Sequence, residues 1–285
     1  EKLTMISQAD NEGYFDVFWK DGEKLALRGG ELAGLFDARD TDLWTEIKKI
    51  DGFAANVTDL VNEIHREGFG ANGKTGNNFF VQFPYTTDAS GNFDKDRDGA
   101  DDSTYLFRVS GGNKLESHDK IGIRGTMRIN GASVDYYETD TLEQVIRKIN
   151  DSGARVNAFL NPENRLTIKA DYQLNKENPD FVIQSLEDNG LFLTGYAGIL
   201  NESGANGAYN YQEVDQVDKL RNDSLWSIAP LVNPSAYMKV EDKILADNSF
   251  IASASGIDID GDKVKDRTNG IGDSENALKI AGLKN

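Results

Sequence analysis

The stretch GFGANGKT, Gly68–Thr75, fits the phosphate-loop pattern G-x-x-x-x-G-K-[ST] at every position. In a phosphate loop a strand leads into glycine-rich amides that hold phosphates, and a helix begins at the lysine. Here an apolar helical pattern precedes the loop and a β-rich run, Phe79–Phe83, follows it. Because the dipole at a helix C-terminus repels anions, the sequence argues against nucleotide binding. The overlapping G-x-G-x-x-G pattern fails for the same reason.

The acidic stretch DKDRDGADD is the second pattern with the spacing of a binding site. Asp94, Asp96 and Asp98 take positions 1, 3 and 5 of a calcium loop, and Asp102 takes position 9. Position 12 is Tyr105 instead of glutamate, and no helix leads into the loop. These four aspartates are the candidate metal ligands, with calcium as the candidate ion. A solvated acidic turn that binds no ion is the alternative interpretation, and the sequence favours it.

The composition restricts the classes of function. With a net charge of −17 and a pI near 4.5, the surface repels nucleic acid and anionic membranes over a Debye length of about 8 Å. Cysteine is absent, which excludes disulfides and thiolate metal sites. The two histidines, His65 and His118, are too few for a histidine-ligated zinc cluster or a Ser-His-Asp triad. We therefore predict no enzyme activity, no catalytic residues and no resident cofactor.

The histidines and the chain ends carry further expectations. His65 follows an apolar helix stripe and is predicted as a helix-surface residue, and His118 lies in a polar loop. No apolar run approaches the roughly 18 residues that span a bilayer, so membrane insertion is not expected. The chain begins at Glu1 without methionine or signal peptide and ends in a helical pattern, and we expect an internal part of a longer protein.

Residues 14–27 predict a β-hairpin. Two β-rich runs, YFDVFWK and EKLAL, flank Asp21-Gly22, and a two-residue turn there requires positive φ at both positions. The aromatic side chains of Phe15, Phe18 and Trp19 are predicted to form the hairpin core and cross-strand pairs.

A short helix over residues 31–39 and a longer one after the candidate N-caps at residues 40–42 follow the hairpin. The longer helix carries an apolar stripe at alternating spacings of four and three. Its members are Leu43, Ile47, Ile50, Ala54, Val57, Val61 and Ile64. Such a stripe requires a partner helix. The C-terminal segment, with cap candidates Asp273 and Ser274 before an apolar stripe at residues 277–283, is the candidate partner.

The middle of the chain predicts a compact α+β unit. Strands are expected at residues 121–130 and 132–137, a capped amphipathic helix at 140–150, strands on both sides of Asn161-Pro162, and a strand from Phe181.

Residues 236–245 and 249–266 predict a further strand region with a turn near Gly261. Aspartates between Asp258 and Asp266 repeat the calcium spacing less well, because Lys263 stands at the glycine position. A hairpin turn explains them better.

Three segments resemble a known family. The N-terminal part resembles flagellar hook-associated protein 1 (FlgK). The resemblance lies in the segment DGEKLALRGGELAGLFDARD, in the long helix that ends in VNEIHREG, and in the glycine loop with its paired phenylalanines. The C-terminal GDSENALKIAGLKN is similar to that family's entry into its final core helices. Between them, INGASVDYYETDTLEQVIRKINDSGARVNAFLNPENRLTIKA resembles the flagellin hook IN module, at about residues 120–170. Residues 84–115 and 185–233 lie outside the segments that carry the resemblance.

The resemblance implies an α+β fold with a discontinuous core, residues 1–83 and 234–285, and an inserted outer domain, residues 84–233. It implies a structural protein at the junction of hook and filament, exported through the flagellar channel to an extracellular or periplasmic flagellum. The implied partners are further copies in a ring, the hook protein and the second junction protein, and an export chaperone that binds a C-terminal region absent here. The family's long terminal helices are also absent, so this chain is not expected to polymerise. The alternative is an extracellular calcium-stabilised adhesion or ligand-binding module, which the acidic loops would suit.

Overall fold

The computed structural model describes residues 3–7, 14–81, 90–96, 98–172, 179–230, 233–259, 265–270 and 272–283. They form a mixed α+β fold in which strands and helices are largely segregated. The helices are α1 (Gly30–Asp37), α2 (Trp44–Glu67), α3 (Leu142–Asp151), α4 (Pro234–Tyr237), α5 (Asp242–Ala246) and α6 (Glu275–Gly282). The strands are β1 (Leu3–Ser7), β2 (Phe15–Trp19), β3 (Asn92–Phe93), β4 (Ser103–Thr104), β5 (Leu106–Lys114), β6 (Gly125–Ile129), β7 (Ala132–Tyr136), β8 (Val156–Leu160), β9 (Arg165–Ala170), β10 (Ser185–Asp188), β11 (Tyr209–Asn210), β12 (Leu225–Ile228), β13 (Gly256–Ile257) and β14 (Arg267–Thr268).

The predicted N-terminal hairpin forms, but its turn differs from the prediction. Gly22 donates its N–H to the Trp19 carbonyl, Trp19 donates to Glu23, and of the turn residues only Gly22 has positive φ. This is a three-residue loop, a type I turn followed by a left-handed glycine, so Asp21 keeps an ordinary backbone conformation. β2 pairs antiparallel with β1, a strand that the sequence did not predict.

The predicted aromatic core of the hairpin is only partly correct. Phe18 and Trp19 lie opposite Thr4 and Leu3 and are half-buried, whereas Phe15 is exposed. Asp16 is buried next to it, because its carboxylate accepts a hydrogen bond from Lys24 at 2.6 Å.

The predicted helix break at residues 40–42 is absent. Residues 38–43 form a π-helical segment that joins α1 to α2, and no side chain caps α2. Asp40 cannot serve as a cap because its carboxylate binds the guanidinium of Arg39 at 2.5 Å.

The apolar stripe of α2 is covered only in its C-terminal half. Ala54 and Val61 are buried, whereas Leu43, Ile47 and Ile50 are exposed. The helix buries a different face, and that face is largely polar. Its buried polar and charged residues are Lys48, Asp51, Thr58, Asp59, Asn62 and His65.

The prediction that the α6 stripe covers the α2 stripe is wrong for this chain. α6 contacts α2 through its one buried residue, Asn276, beside the end of α2, while Leu278 and Leu283 stay exposed. At a rise of about 1.5 Å per residue, the exposed half of the α2 stripe lies several turns away.

Two four-stranded antiparallel sheets form the middle of the molecule, with orders β11-β10-β6-β7 and β12-β5-β9-β8. Helix α3 packs against them through Leu142, Val145 and Ile149, which are buried on the apolar face of this predicted amphipathic helix. Thr141 caps α3, and a capping box with Gln144 completes the cap. The strand predicted from Phe181 begins only at Ser185, because Phe181 has a positive φ of 57°.

The strand predicted over residues 236–245 is wrong. Pro234 opens α4 and α5 follows, because proline at a helix N1 position lacks an N–H that would be unsatisfied anyway. Of this segment only Val240 pairs, with Phe80, in a single bridge. The strand predicted at residues 79–83 is likewise reduced, in its described part, to this one β-bridge at Phe80.

Beyond α5 the chain forms a bridge at Ala254 and the short β13–β14 pair, while the turn predicted at Gly261 lies outside the described residues. Of the two predicted caps of α6, Ser274 stands at the N-cap position but its side chain makes no capping bond, while Asp273 accepts the Glu275 N–H. Among the residues described here, no helix combines the length and apolar character needed to cross a membrane.

Candidate functional site

The glycine loop lies where the sequence placed it, directly after the C-terminus of α2. Its amides already have acceptors in the protein. Gly70 donates to the carbonyl of Lys74, Asn72 to that of Ser249, Gly73 to that of Gly70 and Gly76 to that of Arg66. Phosphate would have to displace these bonds against the helix dipole, so the loop is a connector.

The residues that resemble the family's V-N-x-x-H-x-x-G ending form a tertiary junction. Asn62 donates to the Phe80 carbonyl at 2.9 Å, and its own oxygen accepts from the amides of Phe79 and Phe80 at 2.9 and 2.8 Å. One side chain therefore satisfies three backbone groups of the segment that leaves the glycine loop. A buried asparagine is stable only when its donors and acceptors are used in this way.

His65 is buried in the same junction, which corrects the prediction of a surface position. Its Nδ1 lies 2.6 Å from the Asn77 carbonyl and its Nε2 accepts the Ala252 N–H at 2.9 Å. These partners require the neutral ring with hydrogen on Nδ1. Burial lowers the pKa of His65, and the positive charges of Lys243 and Arg66 lower it further.

Gly68 and Asn276 meet where α6 joins the end of α2. The Asn276 side chain donates to the Ile64 carbonyl at 3.0 Å and to the Ala252 carbonyl at 2.8 Å. A Cβ on Gly68 would lie 2.1 Å from the Asn276 amide nitrogen, so only glycine fits. The resembling residues near both ends of the chain therefore act in one structural unit.

A buried ionic cluster joins α2 to the sheet of β5 and β9. Arg108 Nε donates to Asp59 at 2.8 Å, and Lys169 Nζ lies 3.2 Å from the same carboxylate. Burial opposes the charge on Asp59, but Arg108 and Lys169 outweigh it and lower the pKa of Asp59 to about 2. A paired, hydrogen-bonded charge is the form in which a carboxylate can be buried.

The rest of the cluster satisfies the remaining donors. Arg108 also donates to Ser110 at 3.1 Å, and Ser110 is bonded to Thr167 at 2.8 Å. Sequence reasoning missed these residues. The sequence feature that could have indicated them is the position of three charged residues, Asp59, Arg108 and Lys169, each within an otherwise apolar or β-rich stretch of sequence.

The structure brings together three of the four predicted calcium ligands. Carboxylate oxygens of Asp94, Asp96 and Asp102 lie within 4.8 Å of one another. Asp98 turns away, since its carboxylate accepts the Ala100 N–H at 2.9 Å. Oxygen ligands at this spacing suit a hard cation. Of the aspartates between Asp258 and Asp266 that repeat the calcium spacing less well, Asp260 and Asp262 lie outside the described residues.

His118 is exposed, with Nδ1 3.5 Å from Glu143, and it joins no cluster. An exposed apolar strip is the remaining surface feature. The strip begins at Leu43, directly before α2, and continues along the first half of α2 with Ile47, Ile50 and Phe53, of which Phe53 is 70% exposed. Contiguous apolar surface of this kind is typical of an interaction site.

Two segments of the chain match known families. Residues 1–80 match the flagellar hook-associated protein FlgK helical domain, and residues 126–171 match the flagellin hook IN motif. No curated protein and no solved structure matches the chain.

These matches support a structural role in the bacterial flagellum. More particularly, the two matched segments support a FlgK-like flagellar hook-associated protein. The matches confirm the resemblance read from the helix and the IN module.

Proposed function

We propose that this protein is a component of the junction between hook and filament, where it adapts the hook to the filament without catalysing a reaction. The order of the matched segments supports this role, with a FlgK helical domain first and a flagellin IN motif after it. The observation that carries the proposal is the exposed apolar strip of α2, because neighbouring exposed apolar side chains such as Ile50 and Phe53 are typical of a surface that binds another protein.

We also propose a discontinuous core of residues 1–83 and 234–285, with residues 84–233 inserted as the outer domain. Support comes from contacts between the two parts of the core: Phe69 bridges Ala254, Phe80 bridges Val240, and α2 contacts both α4 and α6. The core and the outer domain meet at the buried Asp59–Arg108 pair.

The proposed partners are further copies of the chain in a ring, the hook protein and the second junction protein. An export chaperone is a further proposed partner. The proposed location is the external flagellum, or the periplasm where flagella are internal. The acidic surface, with a net charge of −17, disfavours nucleic acid as a partner.

Electron microscopy of cells that lack the full-length gene tests the proposal, with the medium assayed for flagellin and a complemented strain as the control. We expect bare hooks and soluble flagellin in the medium, both reversed by complementation. Intact filaments would refute the junction role, and the calcium-stabilised adhesion module would become the leading alternative.

A further inference from the structure

A cleft of about 400 Å³ lies between the last turns of α2 and the strand β12. β12 is the edge strand of its sheet, and its Ser227 lies opposite Arg108 of β5. Opposite residues of antiparallel strands share a face. Ser227 therefore lies on the face that carries Arg108, which α2 covers. The volume is within the range of small-ligand sites, about 300–1,000 Å³.

The hydroxyl of Ser227 is unused. Ser227 is only 8% exposed, and its Oγ is buried without a hydrogen-bond partner in the described structure. A buried hydroxyl without a partner is destabilising, so native proteins rarely retain one. A ligand in the cleft that accepts this hydrogen bond would explain it.

Arg66 is the cation of the cleft that contacts no carboxylate among the described residues. Arg108 pairs with Asp59, Glu63 lies 3.6 Å from Arg108, and Glu67 shares a hydrogen bond with Glu163. Arg66, in contrast, forms no ion pair among the described residues. Its hydrogen-bond partner is the neutral amide oxygen of Asn78 at 2.8 Å.

Burial lowers the pKa of Arg66, and the nearby charge of Arg108 lowers it further. The carboxylates of Asp59, Glu63 and Glu67 raise the pKa but do not outweigh these effects. A guanidinium stays charged at neutral pH and keeps free donors, so the cleft holds a partly buried cation that lacks a contacting anion.

We propose that this cleft binds a carboxylate group carried on a short apolar body. The Arg66 guanidinium and the Ser227 hydroxyl are the donors to the carboxylate, and Leu225, exposed at the same strand, contacts the apolar part. Guanidinium and carboxylate match as planar, two-pronged partners. Since Glu63 and Glu67 also line the cleft, a monoanion is favoured over a phosphate dianion.

The test is an NMR titration of the ¹⁵N-labelled chain with sodium hexanoate at constant ionic strength, with hexanol as the uncharged control. We expect saturable shifts of the Arg66 Nε–H and Ser227 N–H signals with hexanoate only. Arg66→Gln should weaken binding at least about tenfold, the scale of a lost charge-assisted hydrogen bond. Arg124→Gln, which removes an equal charge from a 78% exposed side chain, should leave the affinity unchanged.

Ser227→Ala separates a binding role from a structural one. Because the hydroxyl has no hydrogen-bond partner among the described residues, its removal should leave the melting temperature unchanged or raised and should still weaken hexanoate binding. A parallel titration with N-acetyl-leucyl-glutamate amide tests whether the natural ligand is a polypeptide side chain or a free small carboxylate. Tighter binding of the peptide than of hexanoate would assign the carboxylate to a polypeptide. Absence of saturation with both ligands, equal binding of hexanol or inorganic phosphate, or a melting temperature lowered by Ser227→Ala would overturn the proposal.

Discussion

Asp59 of α2 and Arg108 of β5 form a buried ion pair, with 2.8 Å between the carboxylate and Arg108 Nε. Only a few percent of either side chain is exposed. The pair joins the helix that matches the FlgK domain to the sheet containing β8 and β9 of the matched IN segment. Buried pairs are costly to form, but removal of one partner leaves an uncompensated charge, so this contact holds the two parts in register.

Asp59→Asn should therefore destabilise the chain strongly. Arg108 and Lys169 would remain buried without their anion, and the loss should be about 3–5 kcal/mol, measured by urea unfolding at pH 7. The matched control is Glu46→Gln, which breaks the exposed pair with Lys49 and should cost less than about 1 kcal/mol. An equal, small loss of stability in both variants would contradict the proposal that the Asp59–Arg108 pair holds α2 against the sheet.

His65 should make the fold less stable in mild acid. Its pKa in the folded state lies below the ordinary value of 6.5, so the unfolded chain binds more protons between those two values. The stability that His65 contributes is therefore lost as pH falls below about 6.5. His65→Gln, which can donate to Asn77 and accept from Ala252 but cannot titrate, should flatten the decline in unfolding free energy between pH 7 and pH 5. An unchanged slope would show that the ring is not held neutral.

Glu67 should have the opposite effect in an overlapping pH range. Burial, together with the hydrogen bond and the charge of Glu163, raises the pKa of Glu67 to about 7. The folded state thus binds the proton more tightly, and stability is lost as pH rises through that value. Glu67→Gln should gain on the order of 1 kcal/mol at pH 8, with the shift discounted for partial exposure, and little at pH 5. The exposed Glu116→Gln should show no such pH dependence in the same urea titrations.

Much of the fold could be predicted from the sequence, because the signals were local. The hairpin glycine, the Thr141–Gln144 capping box and the apolar face of α3 depend on neighbours within a few residues. The failures involve long-range contacts. His65 is buried because Asn77 and Ala252 both reach its ring, and Ala252 is 187 residues away along the chain.

The candidate sites show the same limit. The spacing of the aspartates was sufficient to predict that Asp94, Asp96 and Asp102 lie close together. It could not show that Asp98 satisfies a local amide instead. The Ser227 and Arg66 cleft depends on strand register and on a helix from a distant segment, and neither is visible in the sequence alone.

The acidic loop should bind calcium with a measurable gain in stability. Three carboxylates within 4.8 Å repel one another, so a divalent cation that binds only the folded loop should raise the melting temperature relative to a chelator-treated sample. Asp96→Asn should abolish most of the shift, whereas the exposed Asp151→Asn, of equal charge, should not. Identical melting curves with calcium and with chelator would leave the solvated acidic turn as the explanation.

The exposed strip of α2 should matter for assembly and not for folding of the chain. Phe53 is 70% exposed and Ile50 is 57% exposed, so the double variant Ile50→Ser, Phe53→Ser removes little buried apolar surface. We expect unfolding free energy within about 1 kcal/mol of the parent, since changes at exposed sites are usually small. Introduced into the full-length gene, the same pair should release flagellin into the medium and shorten or abolish filaments. Lys49→Ser, at a neighbouring exposed position with its side chain 52% exposed, is the control and should leave filaments intact. Normal filaments with the double variant would show that this strip is not the assembly surface, whereas a large loss of stability would show that it is covered within the chain itself.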